Sequence, residues 1–142
     1  MEGRPSSLAE KSRLILVDSS VWIDFFSSSP GRAAAELRRM IEEAEPFALT
    51  GIVVAEVLQG LTRGARRIEQ YLAQWEMFEP RGFETYREAA AICRAARAKG
   101  ITPTTIDTLI AAIALEHNAS VFTHDHDFSR IARITRLALY SP

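Results

Sequence analysis

The chain contains five aspartates, and they fall in three short segments: Asp18 and Asp24, Asp107, and Asp125 with Asp127. Its thirteen glutamates are spread instead over stretches that read as helical, as solvated surface charge usually is. Clustered carboxylates do recognisable chemistry. Several in one small site raise one another's pKa, and burial adds to that. A divalent cation relieves the repulsion, and hard oxygen ligands suit magnesium or manganese. Such a centre activates water and stabilises the oxygens of an in-line displacement at phosphorus, which is phosphodiester hydrolysis.

The competing readings are structural. Asp18 and Asp107 could each serve as a helix cap. Glu56 could face solvent. Asp24, in the polar phase of its helix, reads as surface or a local salt bridge rather than as part of the site. His124 and His126 flank Asp125 and would share one face of an extended segment, which raises zinc as an alternative. No third nitrogen or sulfur ligand lies nearby, so zinc is disfavoured. There is no Ser-His-Asp set, glycine-rich phosphate loop or dinucleotide fingerprint. Asp18-Ser19-Ser20 lacks the second aspartate, two residues on, that haloacid-dehalogenase-type phosphatases carry.

The elements that must position these groups alternate between strand and helix. Leu14 to Val17 is a short apolar run of the kind that forms a buried parallel strand, and Asp18-Ser19-Ser20 after it favours a helix cap. Val21, Trp22, Phe25 and Phe26 continue at helical spacing, and Ala33 to Ala44 is a second helix. Phe47 to Leu49 is a strand, followed by a helix from Ile52 to Leu61 with Val53, Val57 and Leu61 on one face and Glu56 at its border. Two further helices are expected over Arg66–Trp75 and Phe83–Lys99, the second ended by Gly100. An apolar helix follows from Ile106 to His117, with His117 meeting its terminal carbonyls. Ser120 to Thr123 is a strand, Phe128 to Ile131 a helical turn, and Leu137 to Tyr140 a last strand.

The pattern predicts an α/β fold, a mainly parallel sheet of four to five strands with helices on both faces. Ligands of such sheets bind outside the carboxyl ends of the strands. Asp18 sits one residue and Asp125 two residues past strands, Asp107 opens a helix, and Glu56 lies seven residues past a strand. If strands one and four lie side by side, all four carboxylates gather at one edge.

Composition bounds the rest. A chain of 142 residues, 47% hydrophobic and 25% charged, suits one globular domain, expected over residues 14–142 after a polar extension over residues 1–13. The lone Cys93 excludes an internal disulfide and a multi-cysteine zinc cage, and reads as a packing residue. The longest apolar run, Leu109 to Leu115, has seven residues, so neither a membrane span nor a signal peptide is expected and the cytoplasm is. The middle third is rich in cations, among them Arg63, Arg66, Arg67, Arg81, Arg87, Arg94, Arg97 and Lys99. Arg63, Arg66, Arg67 and Arg97 are candidates for phosphate contact, although arginine on an amphipathic helix is often only a solvated face.

Four segments together resemble one family. Leu16-Val17-Asp18-Ser19-Ser20-Val21-Trp22-Ile23-Asp24 is similar to the opening motif of PIN-domain ribonucleases of the VapC toxin type. Val54-Ala55-Glu56-Val57-Leu58-Gln59-Gly60, Ile106 to Ala114 and Thr123-His124-Asp125-His126-Asp127-Phe128 resemble the three motifs that follow, in the family's order and spacing. The resemblance implies an acidic quartet of Asp18, Glu56, Asp107 and Asp125 binding Mg2+ or Mn2+, with Asp127 as a further ligand and Ser20 and Thr123 as supporting hydroxyls. It implies a metal-dependent endoribonuclease, the toxin of a type II toxin–antitoxin pair, forming a homodimer and a hetero-oligomer with a small cognate antitoxin. Trp22, Phe25, Phe26 and the helix from Val53 to Leu61 carry enough apolar surface either for a partner groove or for an ordinary core. A PIN nuclease of RNA processing and a catalytically silent binding module are the alternatives.

Overall fold

The computed structural model describes residues 14–142; the extension expected over residues 1–13 lies outside them. Five strands form one sheet: β1 (Ile15–Val17), β2 (Phe47–Thr50), β3 (Glu76–Phe78), β4 (Ser120–Phe122) and β5 (Ala138–Leu139). The order is β3-β2-β1-β4-β5 and every pairing is parallel. β1 lies at the centre, with Leu16 opposite Ala48 on one side and Val121 on the other. Flanked on both edges and covered on both faces, Leu16 and Val17 are wholly buried, so continuous apolar sequence is what this strand requires.

The helices among the described residues are α1 (Ser19–Phe25), α2 (Arg32–Glu42), α3 (Gly51–Gln59), α4 (Ala65–Ala73), α5 (Phe83–Ala98), α6 (Thr105–Glu116) and α7 (His126–Ile134). Their packing divides them into two layers. α1 packs on α2 and α3, and α3 on α4, whereas α5, α6 and α7 pack on one another. Right-handed crossovers put these two groups on opposite faces of the sheet. The chain steps outward from β1 to β2 to β3, then returns to the far side of β1 as β4. That reversal opens a crevice at the carboxyl ends of β1 and β4, where the Asp18 amide donates to the Phe122 carbonyl at 2.9 Å.

The largest departure from the sequence pattern is β3. It is three residues long, follows α4 almost directly and buries only Phe78, so neither alternation nor an apolar run marks it. The helical turn expected at Phe128 is the nine-residue α7, which starts two residues earlier because Asp125 caps it. Leu61 lies beyond α3, leaving Val53 and Val57 as its buried stripe. Gly100 does follow α5, at φ +78°, a conformation open to glycine at little cost.

The aromatic side chains expected either in a groove or in the core form a cluster between α1 and α4. Trp22 is fully buried, with ring centroids of Phe25 at 5.6 Å, Phe26 at 5.8 Å and Tyr71 at 6.3 Å. Phe47 meets Trp75 at 4.8 Å on the same side. Trp22 therefore belongs to the core, while Phe25 and Phe26 keep part of their surface.

Candidate metal centre

Asp18 occupies the N-cap of α1 in extended conformation and is 3% exposed. Three donors converge on its Oδ2: the Ser20 hydroxyl at 2.8 Å, the Thr123 hydroxyl at 2.9 Å and the Ser20 amide at 3.3 Å. Both hydroxyl oxygens are themselves fed by backbone amides, Ser20 Oγ from His124 and Thr123 Oγ1 from Asp125. The hydroxyls thus stitch the end of β4 to the end of β1 and fix the carboxylate between them. Among the described residues no donor reaches Oδ1, which leaves that oxygen for a ligand.

Asp107 sits in the first turn of α6, behind the cap formed by Thr104, whose Oγ1 accepts from the Asp107 amide at 3.1 Å. It is 9% exposed. Burial pushes its carboxyl up to about 6, a hydrogen bond from Thr104 opposes the rise, and the charges of Asp125, Asp127 and Asp18 add to it. Asp125 is the N-cap of α7, its Oδ1 accepting from the Asp127 amide at 3.0 Å. Asp127, in the first turn of α7, is paired with Arg130 at 3.0 Å.

One carboxylate oxygen from each of Asp107, Asp125 and Asp127 lies within 4.8 Å of the other two. Asp18 stands outside that close set but near enough for its charge to act on Asp107. Glu56 is linked through Ser19, whose hydroxyl donates to Oε1 at 2.9 Å. The expected quartet is therefore graded: three aspartates in close approach, Asp18 beside them and Glu56 one hydroxyl away. The N-termini of α1, α6 and α7 all serve these aspartates, and each helix dipole favours the ionised form that crowding disfavours.

A set of oxygen donors at this spacing fits a hard divalent cation. It does not fit zinc. The His124 imidazole Nε2 donates to the Ser20 carbonyl at 3.1 Å, which turns it toward α1, and neither His124 nor His126 joins the cluster.

Other expectations change on structural grounds. Asp24 makes no salt bridge among the described residues. Its carboxylate accepts from the amides of Gly31 and Ala34, at 3.0 Å and 2.9 Å, and so caps α2 from outside. His117 ends α6 and its backbone amide meets the terminal carbonyls of Ile113 and Leu115 as expected, while its ring stacks on Phe78 at 4.2 Å and its Nε2 bonds the Glu79 carbonyl instead of a carbonyl of α6. Arg63, Arg66, Arg67 and Arg97 are all exposed, and none forms an ion pair among the described residues. Arg130 and the bridging role of Ser19 were not legible beforehand. The i,i+3 spacing of Asp127 and Arg130 becomes a signal only once this segment is known to be helical.

A family model described as the PIN domain matches residues 15–134. Ribonuclease VapC11 of Mycobacterium tuberculosis is 37% identical over 128 residues, covering 87% of this chain and 96% of the relative. Among solved structures, VapBC2 of Rickettsia felis bound to a promoter DNA fragment superimposes with a TM-score of 0.71 at 18% identity, covering 89% of this chain and 97% of the other. A toxin–antitoxin complex from Klebsiella pneumoniae gives a TM-score of 0.65 at 23% identity, covering 81% and 90%. These two likenesses establish the fold alone.

Proposed function

Since this chain belongs to the PIN-domain family, we propose that it is a divalent-metal-dependent endoribonuclease, the toxin of a two-protein toxin–antitoxin pair. The observation that carries the reading is the approach of Asp107, Asp125 and Asp127 within 4.8 Å at the crevice between β1 and β4. Magnesium or manganese held by these three and by Asp18 Oδ1 would polarise the scissile phosphate and supply a water of lowered pKa.

The chain's own groups then have distinct tasks. Ser20 and Thr123 saturate Asp18 Oδ2 and present Oδ1 to the crevice. Such outer partners orient ligands and sustain metal affinity. Arg130 steadies Asp127 from the outer side. Glu56 is held at Oε1 by Ser19, which leaves Oε2 to orient a water or accept its proton. Exposed Arg63, Arg66, Arg67 and Arg97 supply phosphate contacts outside the centre. Kinship with VapC ribonucleases supports a small cognate antitoxin, a homodimer and a toxin–antitoxin hetero-oligomer, acting in the cytoplasm. No helix among the described residues is long and apolar enough to cross a membrane.

The test is incubation of total cellular RNA with purified protein and with Asp18→Asn, in magnesium, manganese or EDTA. Discrete fragments from the wild type alone, lost in EDTA, are expected, and sequencing their ends names the substrate. Absence of cleavage in every metal, from folded and antitoxin-free protein, overturns the reading.

A further inference from the structure

The outer face of α5 is unlike any other surface of the described fold. Thr85, Ala89, Ile92 and Ala96 form its buried stripe. Directly opposite, at helical spacing, stand Phe83, Tyr86, Arg87, Ala90, Arg94 and Arg97, all exposed. Phe83 is 78% exposed and Tyr86 53%, the two largest aromatic exposures in the chain's described part. A helix normally buries such rings, and nothing in the described fold covers these.

Charge on this helix is sorted as well. Glu84 and Glu88 turn to one flank, where they line a groove with Ala112 and Glu116 of α6. The outer face itself carries no carboxylate, and no acidic residue occurs between Glu88 and Asp107. Arg87 is paired with Glu84, whereas Arg94 and Arg97 have no ion pair among the described residues. A face whose only charged side chains are arginines repels a second copy of itself and attracts a polyanion.

Its direction matters too. α5 and α6 pack together, and the Arg81 guanidinium and the Thr85 hydroxyl, at the start of α5, bond Glu116 at the end of α6. The two helices are therefore antiparallel. The arginine end of α5 leads through residues 99–104 into the first turn of α6, which holds Asp107. The rings lie at the other end, Tyr86 about 16 Å and Phe83 about 21 Å from Arg97 along the axis at ~1.5 Å per residue.

We propose that this face of α5 is a track for single-stranded RNA, with Arg94 and Arg97 on phosphates next to the carboxylate centre and unpaired bases stacked on Tyr86 and Phe83 farther out. The proposal rests on the nuclease reading and adds to it a binding surface outside the carboxylate centre, one that holds the unpaired nucleotides on one side of the cut. Aromatic stacking accepts any base, so the rings select single strands rather than a sequence.

The experiment compares the wild type, Phe83→Ala/Tyr86→Ala and Arg94→Ala/Arg97→Ala. A fluorescein-labelled single-stranded twelve-nucleotide RNA and its duplex are titrated in EDTA by anisotropy. Cleavage of the twelve-mer and of a four-nucleotide RNA is then followed with magnesium. The aromatic variant is expected to bind the single strand roughly tenfold or more weakly. It should raise KM for the twelve-mer with kcat held, and leave the four-nucleotide substrate unaffected. The arginine variant should flatten the slope of log K against log salt by about 1.4, at ~0.7 per phosphate lost from a single strand. Unchanged binding by the aromatic variant, or an equal loss on duplex and single strand, overturns the track. So does a change in sedimentation without a change in RNA affinity, which makes the face a contact between copies. Failure of the wild type to bind or cut either RNA overturns the nuclease reading itself.

Discussion

Asp107 is the residue whose setting says most about the centre. It is almost buried, it faces three other aspartates, and its carboxyl is raised from 3.8 to about 6 chiefly by burial. A carboxylate with a raised pKa in the fold keeps its proton to higher pH than in the unfolded chain. Between 3.8 and about 6 the folded state therefore binds more protons, and stability falls as pH rises through that window. Carboxylates held ionised by partners act in the opposite sense. Glu36, lowered by its hydrogen bond to Arg39, is one. The comparison that isolates Asp107 is the difference in Tm between metal-free wild type and Asp107→Asn. The variant should gain on the wild type across the window and hold that gain to about pH 8. A divalent cation at neutral pH should then raise the Tm of the wild type well above any effect on the variant. Parallel profiles with and without metal would remove crowding as the reason for the site.

The elements show how a short sequence motif becomes a site. α1, α6 and α7 each begin at the carboxyl edge of the sheet with a capping side chain: Asp18, Thr104 and Asp125. The same residues that start these helices thus also place the carboxylates, which is why the capping and metal readings of Asp18 are both true. Asp24 serves purely as a cap, reaching α2 across the turn at Gly31. Asp24→Ala should lower stability by about 1 kcal/mol, seen as a lower denaturant midpoint at unchanged slope, while Asp24→Asn retains most of it because an amide oxygen still accepts. An equal loss in both variants would mean that charge, not the cap, is what matters there. Much of this was readable in advance. The apolar run Leu14 to Val17, the cap residues and the Ala-rich helices each point to one local structure. β3 was not readable, since three edge residues with one buried side chain are stabilised by pairing to β2, a long-range contact that no local pattern encodes. Nor was the full extent of α7, because Asp125 and Asp127 read as ligands before they read as the start of a helix. The capping role of Asp24 is hidden for a related reason: its partners are amides seven and ten residues away, across a turn.

At the scale of the molecule, a net charge of −1 conceals a division of labour. Four of the five aspartates gather at the crevice between β1 and β4, and arginines with no ion pair among the described residues are exposed on α4 and α5. That arrangement suits a polyanion gripped by the periphery and drawn to a cation at the centre, since the bare centre would repel it. Ser20 and Thr123 join two strands that lie a hundred residues apart in the chain, so the centre exists only in the folded whole. The most direct test is a magnesium titration of the cleavage rate of one defined RNA by wild type and Asp107→Asn, with manganese binding to both measured in parallel. The account predicts a rate that saturates with metal in the wild type. It predicts a loss of activity in the folded variant that exceeds the roughly ten- to hundredfold typical of losing an outer partner of a metal ligand, together with weakened manganese binding. Metal-independent cleavage, or wild-type activity in Asp107→Asn, would contradict it.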